Sequence, residues 1–449
     1  MLPLTSTRSR PIGTEAKSDW DKALGDRAFL TRRLAAILSL AVVTFICGIA
    51  LRVALTPARI AVQPSPLYSK LMTMDEHTYT EHDLPYFDES VQGFRERVSS
   101  LIRDSRQRTV FVSLASFRDD LCPSTLADLF DKAQYPMNVY VGLVDQVKLS
   151  DDSDDVPCES MLDPKYHGQV RHVRVPASAG AGPTHARYIA SKLYEGEEFY
   201  LQIDSHSHFA PNWDTSLMAQ IDRLPDPHRG ILSHYPPPDD TDMNNADSID
   251  WICCVKQHAD APPGLFITLS DWCTGENRSP GIAQVPGQAP TTCVTPFIGG
   301  GMIVGRGQWV VDVPFDKYVP YLFHGEELLI SARLWTSGWD IFTPTKNIVD
   351  HKYGGRAKNV YAESNSWAGT CELSQARARY LLGTTLPSDA ALAVDLSEID
   401  DLGMGSERSY EAYLEFAGIN LAGGSTGRCG QRYDWQNKVW LGDIKPMGT

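Results

Sequence analysis

Short apolar runs alternate with helical patterns between residues 109 and 203, and this alternation restricts the possible folds more than any other feature of the chain. Four runs have the continuous apolar character of strands that are buried on both faces: 109–115, 137–144, 170–175 and 199–203. Helical patterns separate them at 125–133, after Pro123-Ser124, and at 185–195. Strands that alternate with helices form parallel sheets. The sequence therefore predicts an α/β fold with a Rossmann-like, mostly parallel central sheet and flanking helices.

The second half of the chain is less regular. Residues 236–296 are rich in proline, aspartate and cysteine, and we interpret them as an insertion that is held by disulfides. One short strand is expected within the insertion, at 265–268. Regular structure resumes at 297–304, and a helix at 326–335 and a strand at 340–342 are expected after it.

An uncharged apolar run at 34–51 is long enough to cross a bilayer, and Arg32, Arg33 and Arg52 flank it. Lysine and arginine residues are frequent before the run, so the positive-inside rule places the amino terminus in the cytosol. We predict a single-pass type II membrane protein with three N-terminal parts: a cytoplasmic tail at 1–33, a transmembrane signal anchor at 34–52 and a stem at 53–105. A cleaved signal peptide is the alternative, although its apolar core would be longer than usual.

The cysteines agree with a secretory compartment, and the net charge restricts the possible partners. Eight cysteines follow the predicted anchor: Cys122, Cys158, Cys253, Cys254, Cys273, Cys293, Cys371 and Cys429. An even number in an oxidising lumen indicates disulfides, whose pairing cannot be deduced from sequence. Asn277-Arg278-Ser279 is an N-glycosylation acceptor sequence, although Pro280 follows it. The net charge of −15 argues against a nucleic-acid partner, so an anionic substrate would require a metal ion or selected arginines.

The fourth apolar run ends abruptly in Asp204-Ser205-His206. Residues two apart on an extended strand point to the same side, so the carboxylate and the imidazole can converge. Open α/β sheets bind ligands beyond the carboxyl ends of their strands, and these two groups suit a divalent metal there. The alternative is a strand that runs into a polar turn, in which Asp204 caps a helix.

Further candidate residues follow predicted elements, and each has a structural alternative. Gly299-Gly300-Gly301 can let the backbone approach a ligand or can form a plain turn. Glu326 and Glu327 follow His324-Gly325, but acidic residues in a first helical turn are also favoured by the helix dipole. Arg118 and Arg187 suit a phosphate or lie on the surface. His351 follows the last predicted core strand and, as a single histidine, is more often structural. The acidic run at 151–155 is most simply a solvated surface loop.

The order of these segments resembles the GT-A nucleotide-sugar glycosyltransferases that carry Asp-x-His, including the polypeptide N-acetylgalactosaminyltransferases. It is more similar to the family that holds the hydroxyproline-modifying and mucin-type polypeptide N-acetylglucosaminyltransferases. The resemblance covers roughly residues 108–355 and rests on five segments: Phe111-Val-Ser-Leu-Ala-Ser-Phe-Arg-Asp119, Gly182-Pro-Thr-His-Ala-Arg187, Gln202-Ile-Asp-Ser-His206, Phe297-Ile-Gly-Gly-Gly301 and His324-Gly-Glu-Glu327.

The resemblance implies roles for these residues. Asp204, His206 and His351 would bind a divalent ion, Mn²⁺ or another, that bridges the diphosphate of a UDP-sugar, and a nearby arginine would offset the charge of the leaving group. Arg187 is the candidate for that arginine, and residues 113–118 would lie near the uridine. Three groups of candidates result: for catalysis Asp204, His206, Glu326 and Glu327; for metal binding Asp204, His206 and His351; for substrate binding Ser113, Phe117, Arg118, Arg187, Ser205, Gly300, Gly301 and His324.

The expected activity is a retaining transfer of GlcNAc from UDP-GlcNAc to a hydroxyl of a polypeptide, either Ser/Thr or hydroxyproline. By this resemblance residues 106–355 form the catalytic domain, and the extension at 356–449 is a candidate acceptor-binding region. The hydroxyproline-modifying members are cytosolic, whereas the predicted anchor favours secreted or surface acceptors in the Golgi lumen. Two alternatives remain open: the same chemistry with another UDP-sugar or a glycan acceptor, and a lumenal binding protein without turnover.

Overall fold

A computed structural model describes residues 87–101, 108–148, 153–243, 249–257, 261–280, 282, 292–354, 358–363, 367–384, 394–421 and 425–444. All of them belong to one of two compact units, residues 62–449. The predicted tail at 1–33 and anchor at 34–52 lie outside the described residues, as does most of the predicted stem. Among the helices of the described ranges, none is both long and apolar enough to span a bilayer.

The strands are, in chain order, β1 (Val110–Phe117), β2 (Val139–Val147), β3 (Val170–Pro176), β4 (Phe199–Asp204), β5 (Gly230–Ser233), β6 (Asp250–Lys256), β7 (Ile267–Trp272), β8 (Met302–Arg306), β9 (Asp340–Phe342), β10 (Ser425–Gly427), β11 (Arg432–Asp434) and β12 (Val439–Leu441). The α-helices are α1 (Val91–Leu101), α2 (Cys122–Asp131), α3 (Gly182–Ser191), α4 (Trp213–Ile221), α5 (Gln308–Asp312), α6 (Glu326–Thr336), α7 (Val360–Glu363), α8 (Trp367–Leu381), α9 (Ile399–Leu402) and α10 (Tyr410–Ala417). Short 3₁₀ helices lie at 136–138, 158–161, 164–169, 177–179 and 275–277.

Seven strands form the central sheet in the order β3-β2-β1-β4-β8-β5-β9. Strand β1 pairs in parallel with both β2 and β4, and β5 pairs in parallel with β9. The prediction of a mixed α/β fold with a mainly parallel sheet is therefore confirmed. One strand departs from it, because β8 runs antiparallel to both β4 and β5. The chain returns from the insertion at the carboxyl edge of the sheet, so β8 starts there and runs backwards along β4.

The core lies on both faces of this sheet, because alternate side chains of each strand point to opposite faces. Val110, Val112 and Leu114 of β1 pack with residues of α2 on one face. Phe111 packs with residues of α3 on the other face. Gly142 of β2 is required beneath that ring, since a β-carbon there would lie 2.3 Å from Phe111 Cζ. Burial of both faces explains why these strands are continuous apolar runs in the sequence.

Disulfides hold the insertion as expected. Strands β10, β6 and β7 form a second, antiparallel sheet. Disulfides join Cys122 to Cys158, Cys253 to Cys429 and Cys273 to Cys293, while Cys254 and Cys371 are buried thiols. The glycosylation sequence at 277–279 is packed into this region, with Asn277 8% and Ser279 1% exposed. The folded chain therefore does not present this asparagine to solvent.

Replacing Cys429 by serine should lower the free energy of unfolding by about 2–5 kcal/mol. The lost disulfide joins residues 176 positions apart, so its removal frees a long loop of the unfolded chain. Urea denaturation would measure the change. Cys371→Ser is the control, because this buried thiol forms no disulfide; it donates a hydrogen bond to the carbonyl of Tyr321 at 3.5 Å and accepts one from Gln375 at 3.0 Å. Equal losses in the two variants would show that the disulfide adds little stability.

Segments from both ends of the described chain pack against the body. Helix α1 contributes Phe94 and Val98 to the core cluster that contains Phe111. The backbone N–H of Val91 donates to Glu398 Oε1 at 2.7 Å, which joins α1 to the residue before α9. Part of the predicted stem and part of the C-terminal extension are therefore in contact. The roles that the sequence predicts for them stay predictions.

Candidate metal centre

The candidate site lies at the carboxyl edge of the sheet, where β1 and β4 are neighbours. From β1 the chain continues to β2 on one side, whereas β4 lies on the other side. Such a reversal of strand order opens a crevice at the carboxyl ends of the two strands. Ala115 of β1 is paired with Asp204 of β4, so the residues that follow each strand meet at this crevice.

Asp204, His206 and His351 converge here. His206 Nε2 lies 2.9 Å from His351 Nε2, which lies 3.1 Å from Asp204 Oδ2. Asp204 and His206 arrive together at the end of β4. His351 is placed by backbone hydrogen bonds, its own N–H donating to Pro237 O at 2.9 Å and that of Lys352 to His206 O at 2.9 Å. These two bonds bring a residue 145 positions away to the end of β4.

The three donor atoms fit a divalent metal ion. They lie within 4.8 Å of one another, and neighbouring ligands of an octahedral ion with bonds of about 2.1 Å lie about 3 Å apart. Two imidazoles and one carboxylate suit Mn²⁺ and related ions. Burial alone would raise the pKa of Asp204, but the hydrogen bond from His351 and the charge of Arg187 outweigh it and lower that pKa. Asp204 is therefore ionised at neutral pH.

Arg187 connects Asp204 to two other elements. Its Nη2 donates to Asp204 Oδ1 at 2.9 Å and to the carbonyl of Gly300 at 3.0 Å. Its Nη1 donates to Glu326 Oε1, the first residue of α6, at 2.6 Å. The guanidinium is buried and joins α3, β4, the glycine turn and α6. The structure thus places Arg187 beside the metal centre, with both terminal nitrogens already bonded to protein groups.

Three side chains hold the glycine turn beside Asp204, the buried Arg187 and Gln202 and the half-buried Glu327. The N–H of Gly300 donates to Glu327 Oε1 at 2.8 Å, and its carbonyl accepts from Gln202 Nε2 at 2.7 Å as well as from Arg187. A β-carbon at Gly301 would lie 3.7 Å from Asp204 Oδ2, so this residue borders the metal centre. Glu327 therefore fixes the turn in this structure, and Glu326 binds Arg187. The catalytic role that the sequence predicts for both residues stays a prediction.

Arg118 follows β1 in a left-handed conformation (φ 48°) and is enclosed by acidic side chains. Its guanidinium pairs with Asp155 at 2.8 Å and with Glu363 of α7. Asp155 also binds Lys358 Nζ at 3.0 Å, and its side chain is 1% exposed. The interpretation of 151–155 as a solvated loop is therefore wrong for Asp155, because its carboxylate is buried in ion pairs with Arg118 and Lys358. Residues 151 and 152 lie outside the described ranges.

The remaining predicted residues differ in placement. Ser205 faces inward and donates its hydroxyl to Asp119 Oδ2 at 2.7 Å. Ser113 lies within β1, opposite Gln202, and therefore before the strand end at which Asp204 and His206 lie. Its side chain is buried, with 1% exposed. Phe117 ends β1 and packs at Gly180, where a β-carbon would lie 2.8 Å from the ring. His324 directly precedes Gly325 and α6, and its ring meets the exposed ring of Phe323 edge-on at 5.3 Å.

Sequence reasoning assigned no role to Asp119, Gln202 or Glu363, all of which contact predicted site residues. Asp119 contacts His206, Gln202 contacts Gly300 and Glu363 contacts Arg118. Asp119 and Gln202 belong to the motifs at 111–119 and 202–206, so their position next to Arg118 and Asp204 was an available signal. Glu363 had none, because it lies beyond those motifs. The group that could hold a cation here is the cluster of Asp204, His206 and His351.

The chain matches one family model, described as Glycosyltransferase (GlcNAc), over residues 109–168 and 152–422. No curated protein matches the chain in sequence. Among solved structures it is similar to GalNAc-T7 with UDP, GalNAc and Mn²⁺ (TM-score 0.40, 15% identity, 68% of this chain and 56% of that chain). It is also similar to S. aureus TarS in complex with UDP-GlcNAc (0.33, 15%, 66% and 78%) and to the mannosyltransferase PcManGT from Pyrobaculum calidifontis with GDP-Man and Mn²⁺ (0.34, 14%, 73% and 82%).

These TM-scores are too low to carry an argument about function, and the chain spans little more than half of the GalNAc-T7 chain, 56%. The family model does support an assignment of the chain to a family, because its two matched ranges extend over most of the described residues. It confirms the prediction that the protein is a glycosyltransferase. The chain belongs to the GlcNAc glycosyltransferase family.

Proposed function

We propose that the protein is a metal-dependent, retaining glycosyltransferase of GT-A type that moves GlcNAc from UDP-GlcNAc to a hydroxyl of a polypeptide. The observation that carries the proposal is the convergence of Asp204, His206 and His351 at the carboxyl end of β4. The description of the family supports GlcNAc as the sugar. The polypeptide acceptor rests on the motif resemblance, and the Golgi lumen rests on the apolar run at 34–51.

The protein's own groups perform three tasks in this mechanism. Asp204, His206 and His351 hold a divalent cation, which when bound acts as a Lewis acid on the diphosphate and offsets the charge of the leaving UDP. Arg187 neutralises part of the charge of Asp204 and fixes its direction through Oδ1. Gly301 has no side chain, so the donor can approach Asp204 closely. We assign no covalent nucleophile.

A panel of UDP-sugars tests the donor. With Mn²⁺ and a polypeptide acceptor rich in serine, threonine and hydroxyproline, we expect UDP release and GlcNAc incorporation with UDP-GlcNAc and little of either with UDP-glucose, UDP-galactose or UDP-GalNAc. Mass spectrometry would locate the modified residue. If another sugar were transferred fastest, the proposed identity of the donor would be wrong. Binding of UDP-GlcNAc without release from any donor would indicate a binding protein instead of an enzyme.

A pair of histidine variants tests whether the activity belongs to this site. His206→Ala should abolish UDP release because it removes a proposed ligand. His208→Ala is the matched control. His208 lies two residues after His206, its ring is partly exposed, and it contacts Asp350 at 3.0 Å, which is not a proposed ligand. The control should retain the wild-type rate. Equal losses in the two variants would place the effect in the local fold and not in the metal centre.

A further inference from the structure

Asp119 is not one of the three proposed ligands, but it contacts one of them directly. Its Oδ2 lies 2.7 Å from His206 Nδ1 and accepts from Ser205 Oγ at 2.7 Å. The carboxylate is 5% exposed and lies behind the imidazole. Asp119 is therefore not placed to contact a substrate directly, and the proposed metal ligand through which it would act is His206.

A carboxylate at Nδ1 determines which nitrogen of an imidazole carries the proton. An ionised carboxylate only accepts hydrogen bonds, so His206 must place its proton on Nδ1. The other nitrogen, Nε2, then has a free electron pair, and this atom faces His351 Nε2 at 2.9 Å within the group that includes Asp204. Carboxylates that bind the far nitrogen of a ligating histidine orient the ring and make it a better ligand.

The position of Asp119 is itself fixed from the opposite side. Its Oδ1 accepts from the N–H of Leu121 at 3.0 Å, and its backbone carbonyl accepts from the N–H of Cys122 at 3.1 Å. Cys122 starts α2 and is joined by a disulfide to Cys158. The carboxylate therefore uses one oxygen to bind the scaffold and the other to bind His206, and it cannot turn away without losing a bond.

The second imidazole of the centre is held differently. The Nδ1 atom of His351 is buried and has no hydrogen-bonding partner among the described residues. Its ring packs on Tyr353 with centroids 4.2 Å apart, and its backbone is bonded to Pro237. Within the described part of the protein, His206 is thus the proposed histidine ligand that a carboxylate holds through its far nitrogen, because Asp204 contacts His351 at Nε2, the atom that would bind the ion.

We propose that Asp119 is a positioning residue that sets the tautomer and direction of His206 and thereby the affinity of the centre for a divalent cation. The inference rests on the proposed function, since it concerns the same metal centre. Asparagine at position 119 should not replace this carboxylate. An amide has one acceptor oxygen, so it can serve either the N–H of Leu121 or that of His206, but not both.

Titration of the full-length, metal-free protein with Mn²⁺, followed by electron paramagnetic resonance, tests this role. Asp119→Asn should weaken Mn²⁺ binding by roughly 10–100-fold, the usual effect of losing such a partner. Asp120→Asn is the matched control, because it makes the same chemical change one residue further along, where the side chain is 65% exposed and binds Lys358 at 3.2 Å. Its Mn²⁺ affinity should stay close to that of the wild type. Wild-type affinity in Asp119→Asn, or an equal loss in both variants, would overturn the proposal.

A measurement on the unaltered protein covers the case in which Asp119→Asn does not fold. Nitrogen-15 spectra of histidine-labelled, metal-free protein at about pH 8.5 report which ring nitrogen carries the proton. We expect it on Nδ1 of His206, and a proton on Nε2 would contradict the inference.

In the Mn²⁺ titration, the variant Asp204→Ala distinguishes failure of the proposed role of Asp119 from failure of the proposed metal centre. Loss of Mn²⁺ in that variant alone would retain the centre and reject the role of Asp119, whereas no loss in either variant would reject both.

Discussion

Replacing Asp204 by asparagine should slow sugar transfer by roughly 10²–10³-fold, which is typical when one group that stabilises developing charge is removed. Asparagine keeps an oxygen that can accept from Arg187 Nη2, now 2.9 Å from Oδ1. It removes the negative charge that His351 and a cation would face. Arg187 keeps its bond to Glu326 in this variant, so the protein should still fold in EDTA, with a lower unfolding temperature because a charge that stabilises the folded state is lost. Initial rates over a range of Mn²⁺ concentrations would measure the loss.

Asp239→Asn provides the control for this variant. Asp239 binds Lys352, the residue after His351, at 2.7 Å, so the same chemical change is made close to the centre but outside it. We expect its transfer rate and Mn²⁺ dependence to match the wild type. A wild-type rate in Asp204→Asn would show that Asp204 is not a ligand.

Replacing Arg187 by methionine should lower the free energy of unfolding by about 3–5 kcal/mol, the usual cost of removing one partner of a buried ion pair. Arg187 and Glu326 are both buried, and their contact is 2.6 Å long. Without the guanidinium, the Glu326 carboxylate would be left in the interior with no positive partner. Urea denaturation of the metal-free protein measures the change.

Two further variants separate the charge from the packing. Arg187→Met combined with Glu326→Leu should recover part of the stability, since it leaves no unpaired carboxylate at position 326, but should not recover activity, since Asp204 has lost its arginine partner. Arg229→Met breaks the more exposed pair with Asp312 and should cost less than about 1 kcal/mol. If Arg187→Met were no more costly than Arg229→Met, the interpretation of Arg187 as a buried link would be wrong.

The strands that could be predicted are those whose burial leaves a local pattern. Strands β1 to β4 are covered on both faces, so each is a continuous apolar run, and the predicted and observed bounds differ by a few residues. Strand β5 has only four residues, Gly230–Ser233, which is too short for a pattern. The reversed direction of β8 could not be predicted either, because it depends on where the insertion returns the chain to the sheet.

The site divides in the same way. Asp204 and His206 were predictable because a spacing of two at a strand end is a local signal. His351 was a candidate from its place after a strand, but it was assigned as a metal ligand only through the motif resemblance, since tertiary hydrogen bonds and not local spacing bring it to His206. The burial of Asp155 was missed because an acidic run is typical of a solvated loop, and nothing local indicates that Arg118 and Lys358 neutralise it.

Diffraction from crystals soaked with Mn²⁺ and UDP, recorded at the manganese absorption edge, tests the metal centre most directly. The proposed function predicts an anomalous peak within bonding distance of Asp204, His206 and His351. The group formed by Asp145, Glu159 and His172 is an internal comparison, since its donor atoms are as close to one another but Arg174 already pairs with Glu159. A peak at that group, or no peak at the end of β4, would contradict the assignment of this site as the metal centre.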